Sequence, residues 1–204
     1  SFAAGHAREI AVIRNGVDYG HFATTPDERF EDTRGRRVIG YYGALAQWLD
    51  VNLVQEVARR FGDCLVLLVG ADQASVGRSL RSLPNVVLTG EVPYARLPFY
   101  LYGFDVCLLP FCITPLTLAT NPVKMYEYLA AGKPVVSVDL PEARACADYL
   151  WLARDADEFC AAIGRALATG GSRADERRVF AARQTWACRA GALNEAIERV
   201  GSGR

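Results

Sequence analysis

Short continuous apolar runs alternate with amphipathic stretches along this chain. The runs are RVIGYYG (37–43), CLVLLVG (64–70), NVVLTGEV (85–92), DVCLLPF (105–111), PVVSVD (134–139) and DYLWLAR (148–154). An apolar run without alternation marks a strand buried on both faces, as in a parallel sheet. Between the runs, apolar spacing predicts helices. DVNLVQEVARRFG (50–62) opens on Asp50, a good capping residue, and sets Val51, Val54, Val57, Ala58 and Phe61 on one face. QASVGRSLRSL reads as a weaker helix, and PYARLPFYLYG as a helix or helical turn interrupted by Pro98. DADEFCAAIGRALATG, RADERRVFAAR and TWACRAGALNEAIERV read as closing helices. The order strand–helix, repeated about six times, predicts a mainly parallel sheet with helices on both faces. Right-handed crossovers make this a doubly wound, Rossmann-like α/β fold, in which ligands bind at the carboxyl ends of the strands. The first 35 residues differ: IAVIRNGVDYGHF reads as a strand and an Asn-Gly turn, and TTPDERFEDTRGRR as a polar loop. The expected organisation is an entry segment over 1–35 and a Rossmann-like domain with C-terminal helices over 36–204.

Composition narrows the picture. With 204 residues, 51% of them hydrophobic, the chain can build a full-sized core. A formal net charge of zero gives no reason to expect a nucleic-acid partner. No run of 18 apolar residues is present to span a membrane. No signal peptide is recognised, and the chain opens in mid-stride, as a piece of something longer would. The six cysteines form no C-x-x-C pair, and the two histidines, His6 and His21, are read as surface residues, so no zinc site is expected. The thiols are expected to be buried and free, in a reducing compartment.

The chemistry concentrates in TNPVKMYEYLAAGKPVVSVD (120–139). Asn121 reads as an N-cap, Pro122 as the first helical residue, Gly132 as the C-terminal stop and Pro134 as a block to continuation, giving a helix over about 122–131. This helix lies between two buried strands, so its N-terminus falls at the carboxyl edge of the sheet. Lys124 sits in its first turn, where the macrodipole disfavours a cation by roughly 0.3–1 kcal/mol. Glu127 is three residues on. One reading is a solvated Lys–Glu pair without a role. The other is an anion at the helix N-terminus, held by free N–H groups and Lys124, with Glu127 accepting from two hydroxyls such as those of a ribose.

The block NPVKMYEYLAAGKPVVSVDLPE resembles the donor-binding segment of GT-B glycosyltransferases, especially family 4, the group 1 glycosyl transferases. VIRNGVDYGHF resembles that family's entry into its C-terminal domain, and IGYYGALAQWLD its glycine turn after the first strand. NVVLTGEVPYARLPFYLYGFDVCLLPF resembles the nucleobase stretch, and TWACRAGALNEAI the closing helix. The resemblance covers nearly the whole chain. It implies one half of a GT-B fold: the donor-binding domain of a metal-independent hexosyltransferase of glycan, polysaccharide or glycolipid synthesis. That enzyme would move a sugar from a nucleoside diphosphate to an acceptor hydroxyl without a cofactor. A missing N-terminal domain would bind the acceptor, hold any catalytic base and leave the fragment inactive alone. The implied location is cytoplasmic, with peripheral membrane association open through that domain. Two alternatives stand beside it: a nucleotide-sugar 2-epimerase of the same architecture, and a stand-alone Rossmann-like nucleotide-binding module.

The resemblance also distributes roles. Glu127 matches the second glutamate of the family's pair and implies ribose binding; the first falls at Ala119, so the carboxylate that meets the donor sugar is absent. Sugar identity and stereochemical outcome are left open. The basic residues expected after the first-strand glycine are missing from residues 44–49, which leaves Lys124 as the candidate cation for the diphosphate. Gly43, with Ala44 beside it, would let the backbone approach the phosphates, although a plain strand-ending turn explains it as well. Thr120 and Asn121 could point amides or side chains at the phosphates, or serve as caps alone. Gly90, Glu91 and Val92 match the stretch whose backbone pairs with the base. Trp48 could wall the pocket or simply cover the core. Asn15 and Gly16 match the hinge turn and are given no chemistry.

Overall fold

A computed structural model of the protein describes residues 10–202; His6 lies outside them. Six strands form one sheet: β1 (Val38–Tyr42), β2 (Leu65–Val69), β3 (Val86–Leu88), β4 (Val106–Leu109), β5 (Val135–Val138) and β6 (Trp151–Ala153). All pair in parallel, in the order β3-β2-β1-β4-β5-β6. The central strands are apolar throughout because both faces are covered: every residue of β1, β2, β4 and β5 is buried.

Among the helices are α1 (Tyr19–Ala23), α2 (Val51–Arg60), α3 (Leu97–Gly103), α4 (Pro115–Leu118), α5 (Val123–Ala130), α6 (Pro141–Arg144), α7 (Ala156–Thr169), α8 (Ala174–Ala182) and α9 (Trp186–Ser202). Helices α2 and α7 pack together on one side, and α1, α5 and α8 on the other. The α2 cap is as expected: Asp50 accepts from the Leu53 amide at 2.9 Å. The α5 stop is a Schellman pair, with Gly132 N–H donating to Leu129 O at 2.9 Å and Lys133 N–H to Tyr128 O at 3.0 Å. The chain reverses its direction of travel across the sheet between β1 and β4, and a crevice opens where adjacent strands lead to opposite faces.

Several expectations need correction. Residues 10–16 form no strand; only Val17 makes a single parallel bridge, to Thr185. Ile10, Val12 and Ile13 are exposed, and the backbone of Asn15 is bonded to the Asn121 and Arg189 side chains instead of to a strand. The QASVGRSLRSL helix is a 3-10 turn over Gln73–Ser79, while PYARLPFYLYG does divide near Pro98, into a 3-10 turn over Tyr94–Arg96 and α3 from Leu97. The entry segment packs onto the domain: Val17 and Phe22 lie in the core, and the Tyr102 hydroxyl donates to the carbonyls of Phe22 (3.2 Å) and Ala23 (3.0 Å). All six cysteines are free, but Cys188 is exposed and Cys112 only half-buried, so burial does not describe every thiol.

Candidate functional site

The β1, β2 and β3 exits meet at the carboxyl edge. Gly43 N–H donates to Val69 O at 2.8 Å, and Gly70 N–H to Gly90 O at 2.9 Å. Gly70 passes so near that a Cβ there would stand 2.1 Å from the Gly43 carbonyl oxygen. Gly43 has φ +128°, a conformation that side-chain-bearing residues avoid. These turns lay bare backbone beside the crevice between β1 and β4.

Lys124 reaches into that crevice from the first turn of α5. Its ammonium stands 5.4 Å from the Tyr41 ring centroid and 5.5 Å from that of Phe111, both within cation–π range. It presses on Gly43, where a Cβ would meet Lys124 Cε and Nζ at 2.8 Å. Among the described residues no carboxylate lies within ion-pairing distance of it. Burial lowers its pKa, with the Glu127 charge acting the other way. An ammonium held half-buried with no carboxylate partner is costly, and the two rings offset only part of that cost. We expect Gly43→Ala to reduce folding stability by about 1–2 kcal/mol, mainly through backbone strain, because the lysine end can swing aside. Denaturant unfolding measures it.

Glu127, one turn deeper, is 6% exposed. The Tyr42 hydroxyl donates to its Oε2 at 2.7 Å, while the Tyr42 amide donates to the Tyr128 hydroxyl at 3.1 Å. Burial pushes the carboxyl upward, opposed by the Tyr42 hydrogen bond and by the Lys124 and His21 charges. Oε1 receives no hydrogen bond from the described residues, so it can accept from a ligand. The solvated Lys–Glu pair is thereby excluded: the two side chains point to different partners.

Around them, Tyr94 follows the Gly90–Val92 turn in the chain and packs on α1. His21 stacks on it, with centroids 4.6 Å apart, and shares a 3.2 Å contact between His21 Nε2 and the Tyr94 carbonyl. Burial and then the Glu127 carboxylate push the Tyr94 hydroxyl up to about 12. The amides of Glu91 and Val92 find no acceptor among the described residues. On the other side of Lys124 a cavity of about 350 Å³ is walled by Trp48, Phe111, Leu116, Thr120 and Val123. A larger groove, of about 670 Å³, runs from the start of α2 past the β5 and β6 ends. Its charges are already matched, as in Arg144–Asp139 and Arg60–Asp157, and it touches neither Lys124 nor Glu127.

Lys124 and Gly43 therefore come together, with Ala44 next in the chain, and the Glu127 charge reaches the Tyr94 hydroxyl that follows the Gly90–Val92 turn. Ala44 sits at the crevice with its carbonyl accepting from the Tyr41 hydroxyl at 3.2 Å. Thr120 lines the cavity, its hydroxyl donating to Leu116 O at 2.8 Å. Asn121 is not the helix cap. That position falls to Pro122, with no capping side chain. The Asn121 side chain instead accepts from the Asn15 amide at 2.7 Å and donates to Tyr126 and Glu142, which leaves it little capacity for a phosphate. Ala119 ends α4 and is exposed, so no carboxylate replaces the absent glutamate there. Trp48 is half-buried, packing on the core and lining the cavity beside Lys124. Sequence reasoning missed Tyr42, Phe111, Tyr94 and the part played by Asn15. The only signal for Tyr42 was its place just before the glycine turn. Among the described residues, no cluster of three or more His, Cys, Asp or Glu side chains could hold a metal, and no helix is long and apolar enough to cross a membrane.

A six-stranded parallel sheet in this order, with an unpaired lysine at its switch point and a buried carboxylate behind it, defines a Rossmann-like α/β domain of the GT-B type. Residues 36–169 match the family model for "Glycosyl transferases group 1", and the chain belongs to that family. It is 31% identical over 192 residues to the Bacillus subtilis (strain 168) protein named as the teichuronic acid biosynthesis glycosyltransferase TuaH. The match covers 88% of this chain and 48% of that protein, so the chain spans about half the length of this curated relative. Among solved structures it is similar to Anabaena HepE in complex with UDP-glucose: TM-score 0.71, 16% identity, 94% of this chain and 57% of that one. It is also similar to AviGT4, a glycosyltransferase involved in avilamycin A biosynthesis: TM-score 0.69, 20% identity, 98% of this chain and 60% of that one.

Proposed function

We propose that this domain holds the nucleoside-diphosphate sugar for a glycosyltransferase that passes the sugar to an acceptor hydroxyl in polysaccharide or glycan synthesis. The observation that carries the reading is the unpaired Lys124 ammonium, set over Gly43 at the start of α5 and one turn from Glu127. The ribose hydroxyls donate to Glu127 Oε1, and the base lies along Gly90, Glu91 and Val92 near Tyr94. The diphosphate meets Lys124, the first α5 amides and the backbone at Gly43–Ala44, with Thr120 at its edge. As the bond to the sugar breaks, charge grows on the departing diphosphate. The Lys124 ammonium and the helix amides stabilise that charge more than the ground state. No cofactor enters this scheme. The acceptor site and any general base would come from a domain outside these residues, and the location would be cytoplasmic.

Titration calorimetry of this chain with UDP, GDP and ADP, each against its bare nucleoside, tests the reading. UDP heads the panel because HepE is described with UDP-glucose. At least one diphosphate should bind at least tenfold more tightly than its nucleoside. Binding of none, or equal affinity for diphosphate and nucleoside, would overturn the assignment. A second expectation concerns turnover. This chain alone should transfer no sugar, and the full-length protein should; multiple turnover by residues 1–204 would refute the two-domain scheme.

A further inference from the structure

The turn that launches α5 is held from outside. Its helix has no capping side chain, and Asn121, just before it, is gripped by a segment more than a hundred residues earlier in the chain. The Asn15 amide donates to Asn121 Oδ1 at 2.7 Å, and Asn15 Nδ2 donates to the Asn121 carbonyl at 2.6 Å. This two-way pairing fixes both the side chain and the backbone of Asn121. The surroundings fix Asn15 in turn. Arg189 Nε, from α9, donates to the Asn15 carbonyl at 3.0 Å, and Arg14 Nε donates to Glu142 Oε2 at 2.6 Å. The same Glu142 oxygen accepts from Asn121 Nδ2 at 3.0 Å. Next to Asn15, Gly16 lies against the start of α9, where a Cβ would stand 2.5 Å from the Trp186 amide nitrogen. Asn15 also lines the cavity that Lys124 borders.

We propose that Asn15 is a positioning residue for the diphosphate end of the donor site, tying the entry segment to the turn that aims the α5 amides and Lys124. The inference rests on the placement of the diphosphate given above. Its physical content is a coupling. If the clasp sets the α5 start, a bound diphosphate must stabilise the clasp to the same extent that the clasp stabilises the bound diphosphate. The nucleoside end, at the Gly90–Val92 turn and at Glu127, a turn further along α5 where the Tyr42 hydroxyl of β1 holds it, lies beyond the turn that the clasp sets and is coupled to it far less. A purely structural tie would weaken both ends together.

The test uses this chain with the tightest of UDP, GDP and ADP and with the matching bare nucleoside. Asn15→Ala should raise the Kd of the diphosphate about three- to tenfold, the scale of one lost hydrogen bond. The Kd of the nucleoside should stay within about twofold of its original value on the same argument. Asn15→Asp keeps the size but cannot donate to the Asn121 carbonyl, and it should behave like Asn15→Ala. In the unsubstituted protein, the diphosphate should slow hydrogen exchange of the Asn15 amide, and the nucleoside should not. Equal losses for both ligands, or no loss, overturn the proposal. Should both variants fail to fold, unchanged exchange at Asn15 with diphosphate bound overturns it, and slowed exchange supports it. Lys124→Met, run in parallel, separates the failures. If it discriminates diphosphate from nucleoside while the Asn15 variants do not, only the clasp is wrong; if it does not discriminate either, the diphosphate placement is wrong and the clasp proposal falls with it.

Discussion

Lys124→Met is expected to weaken nucleoside diphosphate binding by about 2–3 kcal/mol, the scale of hydrogen bonds to a charged group. That is roughly a 30- to 150-fold rise in Kd. Binding of the bare nucleoside should hardly change, because the ammonium faces Gly43, Tyr41 and Phe111, away from the Glu127 carboxylate's Tyr42 partner. Methionine keeps the stem that packs on those rings and removes only the charge. The same variant should leave the ligand-free protein as stable as before, or more so. Burial lowers the lysine's folded-state pKa, so between the folded and unfolded values the unfolded chain holds more protons than the native one. Stability therefore rises with pH through that window, and below it the buried charge destabilises the fold in full. Removing the charge removes the penalty. Thermal melts with and without the diphosphate read both effects: an unchanged or higher Tm alone, and a much smaller ligand-induced rise. A lower Tm with an undiminished ligand response would mark Lys124 as a structural residue and leave the phosphates to backbone amides.

What could be seen in the sequence followed from burial and from local punctuation. The four central strands were legible because a strand covered on both faces must be apolar at every position, as β2 (Leu65–Val69) is, and the edge strands β3 and β6 because they keep short apolar runs although only partly covered. The end of α5 was legible because glycine followed by lysine and proline permits little else. Its start was misread because Asn121 carries the chemistry of a cap while its side chain is engaged by Asn15. No local rule reports a partner 106 positions away. The Tyr42–Glu127 bond joins positions 85 apart, and was invisible for the same reason. The strand order, and with it the crevice between β1 and β4, depends on which face each crossover helix chooses. Apolar periodicity does not record that choice. Residues 10–13 looked like a strand because Ile10, Val12 and Ile13 are apolar, yet all three are exposed, and no neighbouring strand offers them a ladder.

Glu127→Gln should weaken diphosphate and nucleoside alike, by about 1.5–3 kcal/mol, because both carry the ribose whose hydroxyls a carboxylate accepts best. This pattern is opposite to that of Lys124→Met, and the two variants together locate the ligand's ends. Acid should act in the same direction as the substitution. Burial raises the Glu127 pKa above the ordinary carboxylate value, so the acceptor is lost by protonation at a higher pH than an exposed glutamate would require. Nucleoside affinity should therefore fall as pH drops through that raised value, and the Gln variant should lack the step. Tyr42→Phe removes a donor that favours the ionised form, so its step should lie at still higher pH. The fold responds with the other sign. A raised folded-state pKa means that the native state binds the proton more tightly than the unfolded chain, so this group's contribution to stability declines as pH rises through the window. Above that raised pKa the ionised Glu127 works against the fold, and there Glu127→Gln should melt no lower than the parent. Calorimetry as a function of pH across the step, with melts on both sides of it, reads all of this. A nucleoside affinity that is flat with pH and unchanged in Glu127→Gln would remove the ribose from this carboxylate, and its hydrogen bond to Tyr42 would then be a piece of core architecture.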